Sequence, residues 1–277
     1  MPYTAGKPRI HFETLGAPQA PPLLMLRGLG RAKAHWGRVV GELAPRFRLV
    51  LLDNRGVGLS DAPRAPFAMG ALARDALDVL DALGIARAHV FGMSLGGMIA
   101  QHLAIAHPNR VDRLVLGCTT PGGPEAERPR LSAFARLAQA RMTSIEAAIQ
   151  AEGEMLLSDR GDRDHPEVIE EWIAIAKREP VAKRSLLLQM GAAIGHRAGE
   201  GLGRITAPTL VVSGDDDPLI PVANSRLLAR RIRGAELAWI AGARHDFATE
   251  APGELGRLLR EFLLPADGAR APSHRER

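Results

Sequence analysis

The chain has 277 residues, 46% of them hydrophobic, and a formal net charge of +5. That length and apolar content suit one large α/β domain or a core carrying an inserted subdomain. The excess charge comes from arginines scattered among acids rather than from a basic stripe with aromatics, which argues against a nucleic-acid partner. One cysteine, Cys118, excludes an internal disulfide or a cysteine metal set and reads as a reduced core or near-site thiol. No uninterrupted apolar stretch approaches the ~18 residues of a membrane span, and Met1 to Ile10 has no basic-then-apolar leader. A soluble cytoplasmic protein without a membrane partner is the expectation.

Apolar runs predict strands near 9–13, 22–27, 47–52, 88–92, 111–117, 209–214 and 236–240, and helical periodicity predicts helices near 69–83, 96–107, 222–232 and 252–263. Alternation of this kind builds a mainly parallel sheet covered by helices on both faces. From Pro121 to about Leu202 strand signals cease, and helix-period runs follow at 131–142, 144–157, 166–178 and 181–194, broken by Gly161 and Pro180. The expected organisation is a core over 1–120, a helical insertion over 121–202, a second core part over 203–264 and a loose, aperiodic tail over 265–277.

The pentapeptide Gly92-Met93-Ser94-Leu95-Gly96 lies between the strand-like run Ala88-His89-Val90-Phe91 and a helix-like run beginning at Gly97. A strand that turns at once into a helix forces its middle residue into a strained conformation, and small residues two before and two after it relieve the crowding. This context reads as a nucleophile elbow with Ser94 at its tip.

A serine hydroxyl is a poor nucleophile at neutral pH, so it needs a base to take its proton and an acid to orient that base. Downstream, the run Thr209-Leu210-Val211-Val212-Ser213 ends in Gly214-Asp215-Asp216-Asp217-Pro218-Leu219, and Glu236-Leu237-Ala238-Trp239-Ile240 ends in Ala241-Gly242-Ala243-Arg244-His245. Both loops follow the C-terminal ends of predicted parallel strands, where open α/β sheets build their sites. The order along the chain is Ser, Asp, His.

With these residues in view, the chain resembles the α/β-hydrolase superfamily over nearly its whole length, in particular the enol-lactone hydrolase, small carboxylesterase and non-haem haloperoxidase group. Leu24-Met25-Leu26-Arg27-Gly28-Leu29-Gly30 is similar to its oxyanion-loop segment, and Asp53-Asn54-Arg55-Gly56-Val57-Gly58-Leu59-Ser60 to its D-x-R-G-x-G-x-S segment. The resemblance implies an eight-stranded, mainly parallel sheet with an inserted helical cap. It assigns Ser94 as nucleophile, His245 as general base and acid, and Asp217 as orienting carboxylate, since the family's acid loop usually reads G-x-x-D-P. The backbone amides of Leu29 and Leu95 are the implied oxyanion donors. Trp36, Met93, Met155, Trp172 and Leu219 are candidate pocket residues.

The main departure is Arg27, where many relatives carry His. Arg27 could brace the loop through its five donors or meet an anionic substrate group. None of the remaining histidines forms an H-x-x-x-H, H-x-H or carboxylate-paired set with ligand spacing, so no metal and no other cofactor is expected.

The expected activity is hydrolysis of a small-molecule ester or lactone through an acyl-enzyme. A C–C bond hydrolase of β-diketone-type ring-cleavage products and a cofactor-free haloperoxidase or perhydrolase would use the same residues. A binding protein on the same fold is the reading from another class, and turnover of an activated ester separates it from the enzymes. The oligomeric state is left open.

Overall fold

The computed structural model describes residues 2–129, 144–159 and 167–264. Within them seven strands form one sheet: β1 (Phe12–Leu15), β2 (Pro22–Leu26), β3 (Arg48–Leu52), β4 (Ala88–Met93), β5 (Val111–Gly117), β6 (Thr209–Gly214) and β7 (Glu236–Ile240). Their spatial order is β1-β3-β2-β4-β5-β6-β7, with β1 antiparallel to β3 and every other pairing parallel. The expected eighth strand is not formed among the described residues. Near the N-terminus only an isolated antiparallel bridge, Tyr3 to His11, is made, in a segment where Pro2 and Pro8 lack the amide hydrogens a ladder needs.

Residues along the central strands point alternately to the two faces, and the core divides accordingly. Leu24, Leu26, Val90, Leu114 and Leu116 pack with α2 (Met69–Ala82) and α3 (Leu95–Ala106). Leu23, Met25, Phe91 and Val115 pack on the other face with α1 (Gly37–Leu43) and, after the last strand, with Phe247 and the helix containing Leu255, Leu259 and Phe262. Both faces of the central strands are therefore dry. Such burial explains their nearly unbroken apolar runs.

Between β5 and β6 the described residues form three α-helices, α4 (Ile145–Leu156), α5 (Glu167–Arg178) and α6 (Lys183–Ile194). The predicted helix over 131–142 lies outside the described residues, as does the 265–277 tail. Ile149, Met155, Leu156, Leu157, Val168, Ile169 and Trp172 make a separate apolar cluster, joined by Leu219 from the main body. The last helices are α7 (Ala223–Arg231), α8 (Phe247–Glu250) and α9 (Pro252–Leu263). No helix among the described residues is long and apolar enough to cross a membrane.

Candidate active site

The C-terminal ends of β2, β4, β5, β6 and β7 carry every chemically distinctive residue of the site. Ser94 stands between β4 and α3 with φ 56° and ψ −119°, a backbone conformation that side chains rarely adopt. The neighbouring glycines explain how the turn closes. A Cβ on Gly92 would lie 2.2 Å from the Gly96 carbonyl oxygen, and one on Gly96 would lie 1.9 Å from that of Leu26. The Ser94 carbonyl is held by the Thr119 hydroxyl at 2.7 Å, and its amide donates to Gly117 O at 2.9 Å.

Leu95 opens α3, so its N–H belongs to the first helical turn, where intrahelical acceptors are lacking. Across from it, Gly28 sits close enough to Ser94 that a Cβ there would come 3.3 Å from Ser94 Cβ. Leu29 follows in the same loop, and the next amide, Gly30 N–H, donates to Gln189 Oε1 of α6 at 3.0 Å. Gln189 also donates to Arg55 O at 3.0 Å, so one buried side chain ties α6 to the loops after β2 and β3.

Among the aspartates after β6, Asp217 is the one whose carboxylate meets His245, with Oδ2 2.7 Å from Nδ1. Its Oδ1 accepts the amides of Leu219 and Ile220 at 2.8 and 2.9 Å. Asp215 instead accepts from the Gly242 amide, and Asp216 pairs with Arg244; both are exposed. Burial opposes charge on the His245 ring. The Asp217 carboxylate and the Cys118 sulfur together outweigh it and hold the imidazole well above its ordinary 6.5.

Cys118 follows β5 with φ 37° and is fully buried, and its Sγ, an Asp217 oxygen and a His245 nitrogen all lie within 4.8 Å of one another. Desolvation pushes this thiol up, while the neighbouring His245 draws it down. Although these three side chains are also a possible ligand set, His245 Nδ1 already has Asp217 as a hydrogen-bond partner.

Arg27 braces the loop. Its guanidinium grips the Asp246 carboxylate at 2.8 and 3.1 Å, donates to His35 O at 2.8 Å and lies 4.8 Å from the centre of the Trp36 ring. Asp246 carries no motif of its own; only its position next to His245 marks it in the sequence. The D-x-R-G-x-G segment has a supporting role. Asp53 accepts from the Lys33 amide and ammonium at 2.8 and 3.0 Å, and Arg55 forks onto Asp75 at 2.6 and 2.7 Å.

The five candidate pocket residues separate into two groups. Met155, Trp172 and Leu219 share the cluster of the inserted helices, with the Arg31 guanidinium 4.0 Å from the centre of the Trp172 ring. Trp36 and Met93 belong to the core beneath, Trp36 against Phe91 at 5.2 Å and Met93 with its sulfur 3.6 Å from Arg27. The inserted helices also grip the His245 loop. Arg244 donates to the carbonyls of Glu154 and Leu157 at 3.0 Å, Asp246 N–H donates to Leu156 O at 2.9 Å, and Ser158 bonds Glu250.

Together these features gather a serine at a strained turn, a histidine–aspartate pair and a buried thiol at the carboxyl edge of a parallel sheet. Residues 21–160 match the family model described as the alpha/beta hydrolase fold, and the chain belongs to that family. It is 30% identical over 93% of its length to a protein of Agrobacterium fabrum named "Putative carbamate hydrolase RutD", 99% of which is covered. It is 32% identical over 90% of its length to the poly(3-hydroxyalkanoate) depolymerase of Ectopseudomonas oleovorans, covering 86% of that protein. The crystal structure of the enol-lactonase from Burkholderia xenovorans superposes with a TM-score of 0.83 at 27% identity, over 95% of this chain and 99% of that one.

Proposed function

We propose that this protein hydrolyses carboxylic esters or lactones through a Ser94 acyl-enzyme. The observation that carries the reading is a serine at φ 56° in a strand-to-helix turn on the sheet edge that also bears an Asp217–His245 pair joined at 2.7 Å. In this scheme His245 Nε2 takes the serine proton as Oγ attacks the carbonyl carbon. The oxyanion formed on the carbonyl oxygen is met by the Leu95 and Leu29 amides, each worth a few kcal/mol when preorganised. His245 then gives its proton to the departing alkoxide, and water, deprotonated by the same ring, releases the acid and restores Ser94. Asp217 fixes the ring's tautomer and stabilises the imidazolium. In a lactone the alkoxide stays tethered to the acyl group, so ring opening precedes the water step.

The inserted helices α4 to α6 act as a cap that excludes water and forms the outer wall of the acyl site, with Met155, Trp172 and Leu219 at that wall. The enol-lactonase name of one relative supports the lactone side of the reading. The carbamate hydrolase name of another makes carbamates part of the test panel, because carbamoyl transfer needs the same machinery.

The deciding experiment compares wild type with Ser94→Ala on p-nitrophenyl esters, lactones, enol-lactones and carbamates. Ser94→Ala is expected to lower kcat by at least ~10³-fold while the protein stays folded. A fluorophosphonate should label Ser94 in the wild type. Near-full turnover by the variant, or labelling at Cys118 instead, would sink the assignment.

A further inference from the structure

The Arg27–Asp246 pair joins two loops that act on the same reacting carbonyl in the proposed chemistry. Arg27 immediately precedes Gly28 and Leu29, and Asp246 immediately follows His245. Both side chains are buried, at 3% and 5% exposure, and they are 219 residues apart in sequence. A buried ion pair is poor evidence of net stabilisation, since two apolar residues of similar volume often hold a core as well. What the pair supplies is orientation. The planar guanidinium meets the carboxylate in a fork that fixes both distance and angle, and Nη2 is further pinned by His35 O at 2.8 Å.

It also supplies charge. The groups facing His245 are Asp217 from the β6 loop and Cys118 after β5, with Asp246 beside it. Asp246 in turn faces Arg27 and Arg31 from the loop after β2 and feels Glu250 of α8, while Arg244 is turned toward Asp216 and the α4 carbonyls. Burial raises Asp246, yet Arg27 and then Arg31 keep it below the usual carboxylate value, so it stands ionised next to the catalytic ring.

We propose that Arg27 and Asp246 are a positioning pair that holds the His245 loop in register with the Leu29 amide and screens the imidazole from a second carboxylate. This inference rests on the hydrolase reading above. Asp246→Asn removes a negative charge beside His245, so it lowers the ring's midpoint; Arg27→Met removes the nearer of two positive charges while Arg31 still holds Asp246 ionised, so it raises it. Shifts of opposite sign are the signature of an electrostatic role, because simple loosening of the site does not reverse sign between the two ends of one bond.

The test is an NMR titration of His245 in protein labelled with ¹⁵N-histidine, run beside the pH profile of kcat/KM for p-nitrophenyl acetate. The single variants should move the midpoint by about half to one pH unit in opposite directions. The double variant should return near wild type. Arg27→Lys keeps the charge and loses the fork; it should hold the midpoint while kcat falls about tenfold and KM changes little. Equal-sign shifts, no shifts, or a kcat for Arg27→Lys equal to wild type overturn the proposal. If Arg27→Met does not fold, Asp246→Asn and Arg27→Lys decide it alone. Because NMR reads His245 without turnover, failure of Ser94 to react would count against the hydrolase reading and leave this test intact.

Discussion

Asp217 meets His245 Nδ1 with one carboxylate oxygen while its other oxygen is held by two backbone amides, those of Leu219 and Ile220. The acid is thus aimed by its own loop before the ring arrives. Asp217→Asn should therefore lower kcat by ~10³–10⁴-fold, because an amide can neither fix the working tautomer nor stabilise the imidazolium. Asp215 and Asp216, exposed and bonded to Gly242 and Arg244, should each cost less than about tenfold as Asn. Steady-state kinetics on the three variants checks this. A crippled Asp216→Asn with an active Asp217→Asn reverses the assignment.

The elbow predicts a contrast between two glycines. Gly96→Ala drives its Cβ to 1.9 Å from the Leu26 carbonyl, a backbone atom that cannot swing away, and should destabilise by more than ~3 kcal/mol. Gly191 lies on α6 with nothing within 4 Å of a built Cβ, so Gly191→Ala should stabilise by about 0.5–1 kcal/mol. Urea midpoints measure both. If Gly96→Ala unfolds like wild type, the turn is looser than its geometry indicates.

Selectivity should respond to the cluster shared by α4, α5 and Leu219. Met155→Ala and Trp172→Leu are expected to reorder the preference among acyl chain lengths by more than they change turnover of p-nitrophenyl acetate, whose acyl group is the shortest of the series. Equal losses on every substrate would mean that these residues only hold the helices together.

His196 predicts an acid-sensitive contribution to stability. It is buried, 3.2 Å from His102 and 3.0 Å from Thr120 O, and burial with its neighbour lowers it to about 4. The unfolded chain takes up this proton near 6.5 while the folded one does so only near 4, so the contribution is complete above 6.5 and is lost as pH falls toward 4. The loss is on the order of 3 kcal/mol. Unfolding free energies of wild type and His196→Gln should converge by about that amount between neutral pH and pH 4. A constant difference across the range rules it out.

The five inner strands, β2 to β6, were legible because two-sided burial writes nearly unbroken apolar runs into the chain. β1 begins at Phe12 rather than near residue 9, since the amides of Ile10 and His11 donate to the Thr4 and Ser60 hydroxyls rather than to β3. Helix α1 left little trace: it opens on Gly37 at φ 36° and buries only Val39 and Leu43. Asp215, Asp216 and Asp217 are chemically alike; the resemblance to a G-x-x-D-P loop picks out Asp217, and the fold separates the three by exposure and direction. Arg27 stands out as a departure in its segment, but its partnership with Asp246, 219 residues away, leaves no local pattern.

The bonds from Glu154, Leu156, Leu157 and Ser158 to Arg244, Asp246 and Glu250 bear on how such proteins can be redesigned. They make the end of α4 part of the scaffold for the histidine, on both sides of it. The helices after β5 are therefore not an interchangeable module that can be cut at its two chain crossings and replaced by those of a relative. A chimaera has to keep Glu154 to Ser158 with the Arg244 loop as one inherited block. Variation can then be spent on α5 and on the face of α4 that looks away from that block.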